Sequence, residues 1–171
     1  QWMQNEGYKF IFEESRRQMP FCCMAINWCF QEPWPTAANN SLINYPNEPK
    51  PSYYEVKKAL RPVLASIRIP KFEWYENEDF SCDLFLLNDS YAQIEPLKLV
   101  VTLQYDDKET EQFVWNCSGT GPFKNVQGPT VHFRMPKIKS GQFTIHIKAE
   151  GKPEYDSNYT FLYNPLIINN N

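Results

Sequence analysis

A short stretch of the chain, Asn-Trp-Cys-Phe-Gln-Glu-Pro-Trp-Pro beginning at Asn27, carries side chains that could contact a sugar. Trp28 and Trp34 have indole rings, whose flat apolar faces suit the C–H face of a pyranose while the N–H donates a hydrogen bond. Glu32 has a carboxylate that could accept hydrogen bonds from two sugar hydroxyls, or from backbone N–H groups that hold a loop in place. For both tryptophans the alternative is packing, either in a core or under the neighbouring loop.

The residues before this stretch predict a helix and a strand. Apolar residues at helical spacing predict a helix between Asn5 and Gln18, with Asn5 as its amino-terminal cap. Residues 21–28 then form an almost continuous apolar run. Such a run is typical of a strand that is buried on both faces in a parallel sheet. Glu6, Glu13 and Glu14 are expected on the solvated face of the helix.

The residues after this stretch predict a loop and a second helix. Residues 33–51 contain five prolines, which predicts a long, stiffened loop. Pro51 suits the first turn of a helix, and Ser52–Leu60 has amphipathic spacing that ends before Pro62. Residues 1–62 therefore predict helix, strand and helix, with Trp28 at the end of the strand.

Beyond Pro62 the hydrophobic period changes to two. Residues 97–105 and 143–149 show apolar and polar alternation most clearly, and shorter runs raise the number of predicted strands to seven or eight. Turn residues recur about every ten positions, which is typical of an antiparallel sandwich of about 100 residues. We therefore predict an all-β immunoglobulin-like sandwich over residues 63–165, with residues 166–171 as a tail or linker.

Composition limits the class of partner. A net charge of −3 disfavours nucleic acid, and no apolar run approaches the roughly 20 residues of a membrane helix. The five cysteines show no metal-ligand spacing, and His132 and His146 fall on outward positions of predicted strands, so no metal and no cofactor are expected. The cysteines leave the redox compartment open, although a periplasmic or secreted location is favoured.

Three segments between Gly7 and Val63 resemble the end of the catalytic barrel in glycoside hydrolase family 2, the family of β-galactosidases, β-glucuronidases and β-mannosidases. "EGYKFIFEESRRQMP" is similar to the seventh barrel helix, and "CMAINWCFQEPWP" is similar to the eighth strand and its loop. "SLINYPNEPKPSYYEVKKALRPV" resembles the family signature that runs through the eighth helix. The resemblance implies a mixed fold, in which residues 1–62 are the end of a (β/α)8-barrel and a sandwich domain follows.

The resemblance also implies that both catalytic residues are missing. Family enzymes retain configuration with two glutamates, one after the fourth barrel strand and one after the seventh. This chain is expected to begin just past the seventh strand, and none of its first three glutamates matches the nucleophile motif. No catalytic residue is therefore assigned. The parent protein is expected to be a glycoside hydrolase, and the chain itself an inactive carboxy-terminal fragment of it.

The resemblance assigns substrate contact to residues at the rim of the barrel. Trp28 would form the floor of the subsite that holds the reacting sugar, and Trp34 and Glu32 are further candidates. Glu32 could instead hold the loop, and the amides of Asn27 and Gln31 lie at the same rim with the same two alternatives. In the parent, the partner would be a β-linked glycoside. In the isolated chain, the strand at residues 21–28 could mediate self-association.

Two other functions stay open for the sandwich. It could be a carbohydrate-binding module, with exposed aromatic residues such as Trp74, Tyr75 and Trp115 as a platform. It could also be a purely structural domain without a ligand. The leading hypothesis is a supporting domain of a retaining exo-β-glycosidase.

Overall fold

The computed structural model of the chain describes residues 2–36 and 39–165, and the predicted tail at 166–171 lies outside these ranges. The chain divides into two compact units, Gln1–Pro62 and Val63–Asn171. Within the described residues, neither α-helix combines the length and the apolar character needed to span a bilayer.

The first unit consists of two helices and a small hairpin. Helix α1 is Trp2–Arg17 and helix α2 is Pro51–Ala59, with the hairpin strands β1 (Ile43–Asn44) and β2 (Glu48–Pro49) between them. The predicted second helix is confirmed, and Pro51 lies in its first turn because the ring fixes φ at a helical value and a first-turn residue needs no N–H partner. The core of the unit contains one residue of α1, one of the hairpin segment and two of α2: Phe12, Leu42, Val56 and Ala59.

Two expectations about α1 are wrong. The helix begins at Trp2, so Asn5 lies inside it and does not cap it. Glu6 and Glu13 are not on a solvated face, since both are buried. Burial is possible because each carboxylate has a cation one turn away on the same helix: Glu6 pairs with Lys9 at 3.0 Å, and Glu13 pairs with Arg17 at 3.4 Å.

The expectation of a strand buried on both faces at residues 21–28 is also wrong. The structure assigns no strand there, and Phe21 is 97% exposed. A strand of a parallel sheet needs neighbours for its backbone groups and apolar neighbours on both faces. Among the described residues of the first unit, the two helices cover one face of this segment, and its other face is exposed.

The second unit is a β-sandwich. Its described residues form eight strands and one 3₁₀ turn: β3 Val63–Arg68, β4 Glu73–Tyr75, β5 Asp79–Asn88, β6 Leu97–Tyr105, β7 Lys108–Cys117, β8 Val126–Arg134, β9 Gln142–Ala149, the turn Pro153–Tyr155 and β10 Ser157–Asn164. One sheet has the order β4-β10-β9-β6-β7, and the other has the order β3-β5-β8. The prediction of a two-sheet sandwich is confirmed.

Alternation places the core between the two sheets. In β9, Phe143, Ile145 and Ile147 are buried and the residues between them are not. Phe80 of β5 lies in one sheet, and its ring contacts aromatic rings of the other, with centroid distances of 4.6 Å to Trp74 and 5.9 Å to Phe161. These edge-on and tilted pairs join the sheets by aromatic packing.

The sandwich departs from the prediction in two details. The pairing of β4 with β10 is parallel, whereas all other ladders of the unit are antiparallel. Strands β7 and β8 begin at Lys108 and Val126, earlier than the apolar runs at residues 112–117 and 131–135 predict. The first four residues of β7 are all exposed, so they show no alternation in the sequence, and only the ladder with β6 reveals them.

Candidate functional site

The segment between the first helix and the loop has two different faces. From Met24 to Phe30 the exposure alternates: Met24, Ile26, Trp28 and Phe30 are exposed, and Ala25, Asn27 and Cys29 are partly covered. Ala25 packs against the core that the two helices share. This is the alternation of a strand, with one face on a helical layer and the other face apolar and uncovered.

The backbone of this segment has no sheet partner. Among the described residues, no backbone–backbone hydrogen bond joins residues 23–29 to another part of the chain. The peptide bond between Trp28 and Cys29 is cis. Residues 23–29 therefore offer donors and acceptors that another strand could pair with.

Glu32 holds the loop that follows. Its carboxylate is buried and lies 2.8 Å from the Lys50 ammonium. It also accepts a hydrogen bond from the Ser41 hydroxyl at 3.0 Å and a longer one from the Tyr45 backbone N–H at 3.5 Å. Lys50 completes the cluster by donating to the Asn39 carbonyl at 2.9 Å. The contacts of Glu32 therefore close the loop from both ends.

The electrostatics of this cluster follow from the ion pair. The Lys50 ammonium, helped by hydrogen bonds from Ser41 and from the Tyr45 backbone N–H, lowers the pKa of Glu32 to about 2, although burial acts in the opposite direction. Glu32 is ionised at neutral pH and holds its cation tightly. A carboxyl group with so low a pKa is poorly suited to act as a general acid.

The two tryptophans are the exposed part of the candidate site. Trp28 is 81% exposed and Trp34 is 63% exposed, so neither ring is a core residue of the described structure. Phe30 is also exposed, and its ring meets the edge of Tyr53 of α2 at a centroid distance of 6.4 Å. The structure thus brings Trp28 and Trp34 to the surface of the first unit and withdraws Glu32 beneath it.

The neighbouring amides have internal partners. The Asn27 Nδ2 donates to the Cys29 carbonyl at 3.1 Å, and the Gln31 side chain donates to the Pro46 carbonyl. Both bonds stabilise the loop. The sequence analysis missed Lys50, which pairs with Glu32. Its position between Pro49 and Pro51, at the end of the loop that follows Glu32, is the sequence signal that could have pointed to it.

The aromatic residues proposed as a platform on the sandwich do not form one. Trp74 is buried, and the Trp115 ring lies against Gly128, where an added Cβ would come within 2.8 Å of it. Tyr75 is 40% exposed, and the Lys71 ammonium lies over its ring, 5.5 Å from the centroid. Over residues 2–36 and 39–165, no group of three or more His, Cys, Asp and Glu side chains is placed to hold a metal ion.

Comparison with known proteins supports the architecture. No protein-family model matches the chain, and no curated protein matches it either. Among solved structures, the exo-chitosanase CsxA of Amycolatopsis orientalis is similar over 93% of this chain, with a TM-score of 0.54 and 17% sequence identity. The chain spans 18% of that protein. At this identity the likeness shows a shared fold, and it covers both units.

Two other solved structures are less similar. A β-glucosidase from Listeria innocua matches 59% of this chain and 16% of its own length, with 11% identity and a TM-score of 0.40. The sporulation control protein Spo0M of Bacillus subtilis matches 62% of this chain and 50% of its own length, with 12% identity and a TM-score of 0.38. Neither TM-score is high enough to carry an argument about function.

The Glu32–Lys50 ion pair gives a pH-dependent prediction. Glu32→Gln should lower the urea midpoint of the first unit at pH 7, because the amide leaves the Lys50 ammonium buried without its counter-charge. A Glu with a lowered folded pKa contributes stability above its unfolded pKa, near 4.5, and this contribution is lost as the pH falls towards 2. The midpoints of wild type and variant should therefore converge over that range.

The helical circular-dichroism signal reports on the first unit, which contains both described α-helices, and can follow each urea titration. Glu48→Gln is the matched control, since Glu48 is exposed on β2 in the same loop. It should leave the midpoint nearly unchanged at every pH. If Glu32→Gln and Glu48→Gln lowered the urea midpoint by the same amount, the anchoring role of Glu32 would be contradicted.

Proposed function

We propose that this chain is the carboxy-terminal portion of a retaining exo-β-glycosidase of the family 2 type, in which residues 1–62 complete the catalytic barrel and the sandwich is a supporting domain. The observation that carries the proposal is the two-faced segment from Met24 to Phe30. Its covered face lies on two helices, as the outer face of a barrel strand does, and its open face holds Trp28 at the carboxyl end, where barrel active sites form.

The shared fold with a segment of an exo-chitosanase supports the same proposal, because the match covers 93% of the chain and so includes residues of both units. In this proposal Trp28 and Trp34 contact the glycoside through their exposed rings. Glu32 contributes by positioning: its bonds to Ser41 and Lys50 fix the loop that carries Trp34. The glycoside binds only when the rest of the barrel is present.

The coding sequence upstream of the Gln1 codon tests this proposal. We expect the six preceding βα units of a barrel and its seventh strand, with a glutamate after the fourth strand and another after the seventh. An unrelated domain at that place, or a start codon close to Gln1, would contradict the proposal.

The isolated chain should be inactive. Nitrophenyl β-galactoside, β-mannoside and β-glucuronide should all be hydrolysed at the buffer rate, because retention needs two carboxyl groups about 5–5.5 Å apart and Glu32 is engaged with Lys50. Release of nitrophenol is the measurement. Turnover well above buffer that Glu32→Gln abolishes would show that the chain has a catalytic carboxylate of its own.

Trp28→Ala should separate a binding role from a packing role. In the isolated chain it should change the free energy of unfolding little, because the ring is 81% exposed, whereas Trp74→Ala should cost about 3–5 kcal/mol because that ring is buried. In the longer enzyme, Trp28→Ala should lower kcat/KM by about 10- to 100-fold, which corresponds to the ~1–3 kcal/mol of an aromatic stack. Trp28→Phe should keep part of the kcat/KM that Trp28→Ala loses, because the flat ring face remains.

Denaturant titration and steady-state kinetics are the two measurements. If Trp28→Ala destabilises the chain as much as Trp74→Ala and leaves kcat/KM unchanged, Trp28 is a packing residue. The matched pair is informative because the same ring is removed from an exposed position and from a buried one.

The isolated chain should also self-associate through the open face. Ile26 is 82% exposed on that face, and the backbone beside it has no ladder partner, so two copies can pair their 23–29 segments about a twofold axis. Ile26→Lys should weaken the dimer by ~10-fold or more, because it places a charge in the buried interface. Sedimentation velocity over a range of concentrations measures the dimer.

Ile11→Lys is the matched control, since Ile11 is 56% exposed on α1 of the same unit. It should leave the dimer unchanged. A chain that stays monomeric at every concentration, or that responds equally to both substitutions, would contradict pairing through residues 23–29.

A further inference from the structure

Two loops at one end of the sandwich present an exposed aromatic pair. Tyr91 lies in the loop between β5 and β6, and Phe123 lies in the loop between β7 and β8. Tyr91 is 89% exposed and Phe123 is 45% exposed. Their ring centroids are 4.6 Å apart and their planes are nearly perpendicular, at 87°. The two rings therefore form a corner with free apolar faces.

A buried asparagine fixes both loops. Asn88 is fully buried, and its Nδ2 donates to the Ala92 carbonyl in one loop and to the Gly121 carbonyl in the other, each at 2.9 Å. Its Oδ1 accepts from the Ser90 backbone N–H at 3.0 Å. The Phe123 N–H in turn donates to the Ser90 carbonyl at 3.2 Å. The aromatic corner is thus held before any ligand arrives, which lowers the entropic cost of binding.

The backbone at this end is tightly constrained. Ile94 and Thr120 exchange two backbone hydrogen bonds, at 2.8 and 3.0 Å. Gly119 has a φ of +79°, and a Cβ there would lie 2.1 Å from the Ile94 carbonyl oxygen, so only glycine fits. Phe123 has a φ of +51°, which is unusual for a bulky residue. Such a conformation in an exposed aromatic residue points to a functional constraint.

The loop between β5 and β6 that carries Tyr91 also lines a cavity of about 420 Å³, through its residues 93–96. Gln93, two residues after Tyr91, lines it, and so do two acidic and two basic side chains: Glu95, Glu150, Lys98 and Lys152. Lys98 and Glu150 pair at 3.2 Å. The lining charges cancel, so the cavity favours a neutral ligand that both donates and accepts hydrogen bonds.

We propose that the Tyr91–Phe123 corner and this cavity form a binding site for a neutral glycan, separate from the barrel end. Ring faces suit the C–H faces of pyranoses, and the carboxylates, ammonium groups and amide of the cavity suit sugar hydroxyls. Two rings are too few for a stable protein interface, which buries about 800 Å² per partner. This site gives the sandwich a binding function of its own, and it does not depend on the proposed role of residues 1–62.

Affinity electrophoresis in gels that contain soluble β-glucan, galactan or galactomannan tests the site. We expect at least one of these neutral glycans to retard the chain. Tyr91→Ala should weaken the retardation by ~10-fold, the scale of one lost aromatic stack. Tyr91→Phe should keep most of it, because the ring face remains. Phe123→Ala should also weaken it, and an unchanged urea midpoint for Tyr91→Ala will show that the variant is folded.

Tyr54→Ala is the control variant. Its side chain is exposed and lies in the first unit, so this variant should be retarded as wild type. Loss of retardation in Trp28→Ala with none in Tyr91→Ala would overturn the site and place glycan contact at the barrel end. Retardation by cationic chitosan alone, which would reflect the net negative charge of the chain, or by none of the gels, would also overturn it.

Discussion

The ion pair between Glu32 and Lys50 is the interaction on which the first unit depends. In the proline-rich loop, the Glu32 N–H donates to the Ile43 carbonyl and the Lys50 N–H donates to the Leu42 carbonyl, and side chains of the same two residues add to this backbone pairing. Glu32 stands at the start of the loop and Lys50 at its end, 2.8 Å apart and both buried. Burying two charges is costly unless each is fully partnered. Here Ser41 and the Asn39 carbonyl supply the remaining bonds.

This anchoring divides the candidate residues into two classes. Glu32, the charged residue to which the sequence would first suggest a chemical role, is buried and pairs with Lys50. The apolar rings of Trp28 and Trp34, which would normally be buried, are left in solvent. Exposed indoles are costly to keep in water and suited to binding a sugar face. The sandwich shows the same arrangement, because the polar Asn88 is buried and holds a loop on which the aromatic Tyr91 is exposed.

The two units reach order by different routes. The sandwich has an aromatic core around Phe80, which contacts rings from both sheets. The first unit has a small core of four buried apolar residues and relies on ion pairs along α1 and across its loop. The other strands of the barrel that we propose would cover the open apolar face of this unit.

Local patterns in the sequence were sufficient for the elements whose signals are local. Pro51 predicted the start of α2, because a fixed φ and a missing N–H act within one turn. Period-two alternation predicted the core face of β6 and β9, because a strand alternates whatever its partners are. The change of period after Pro62 predicted where helical segments give way to strands.

Burial and partnership were decided only by the tertiary structure. The apolar run at residues 21–28 predicted a buried strand, yet apolar character cannot show whether a covering layer exists. The charges of Glu6 and Glu13 predicted a solvated face, yet ion pairs with Lys9 and Arg17 allow them to be buried. The loop network of Asn88 and the pairing of Glu32 with Lys50 join residues far apart in the chain. Such contacts leave no periodic pattern in the sequence. They form only where the fold brings the two residues together.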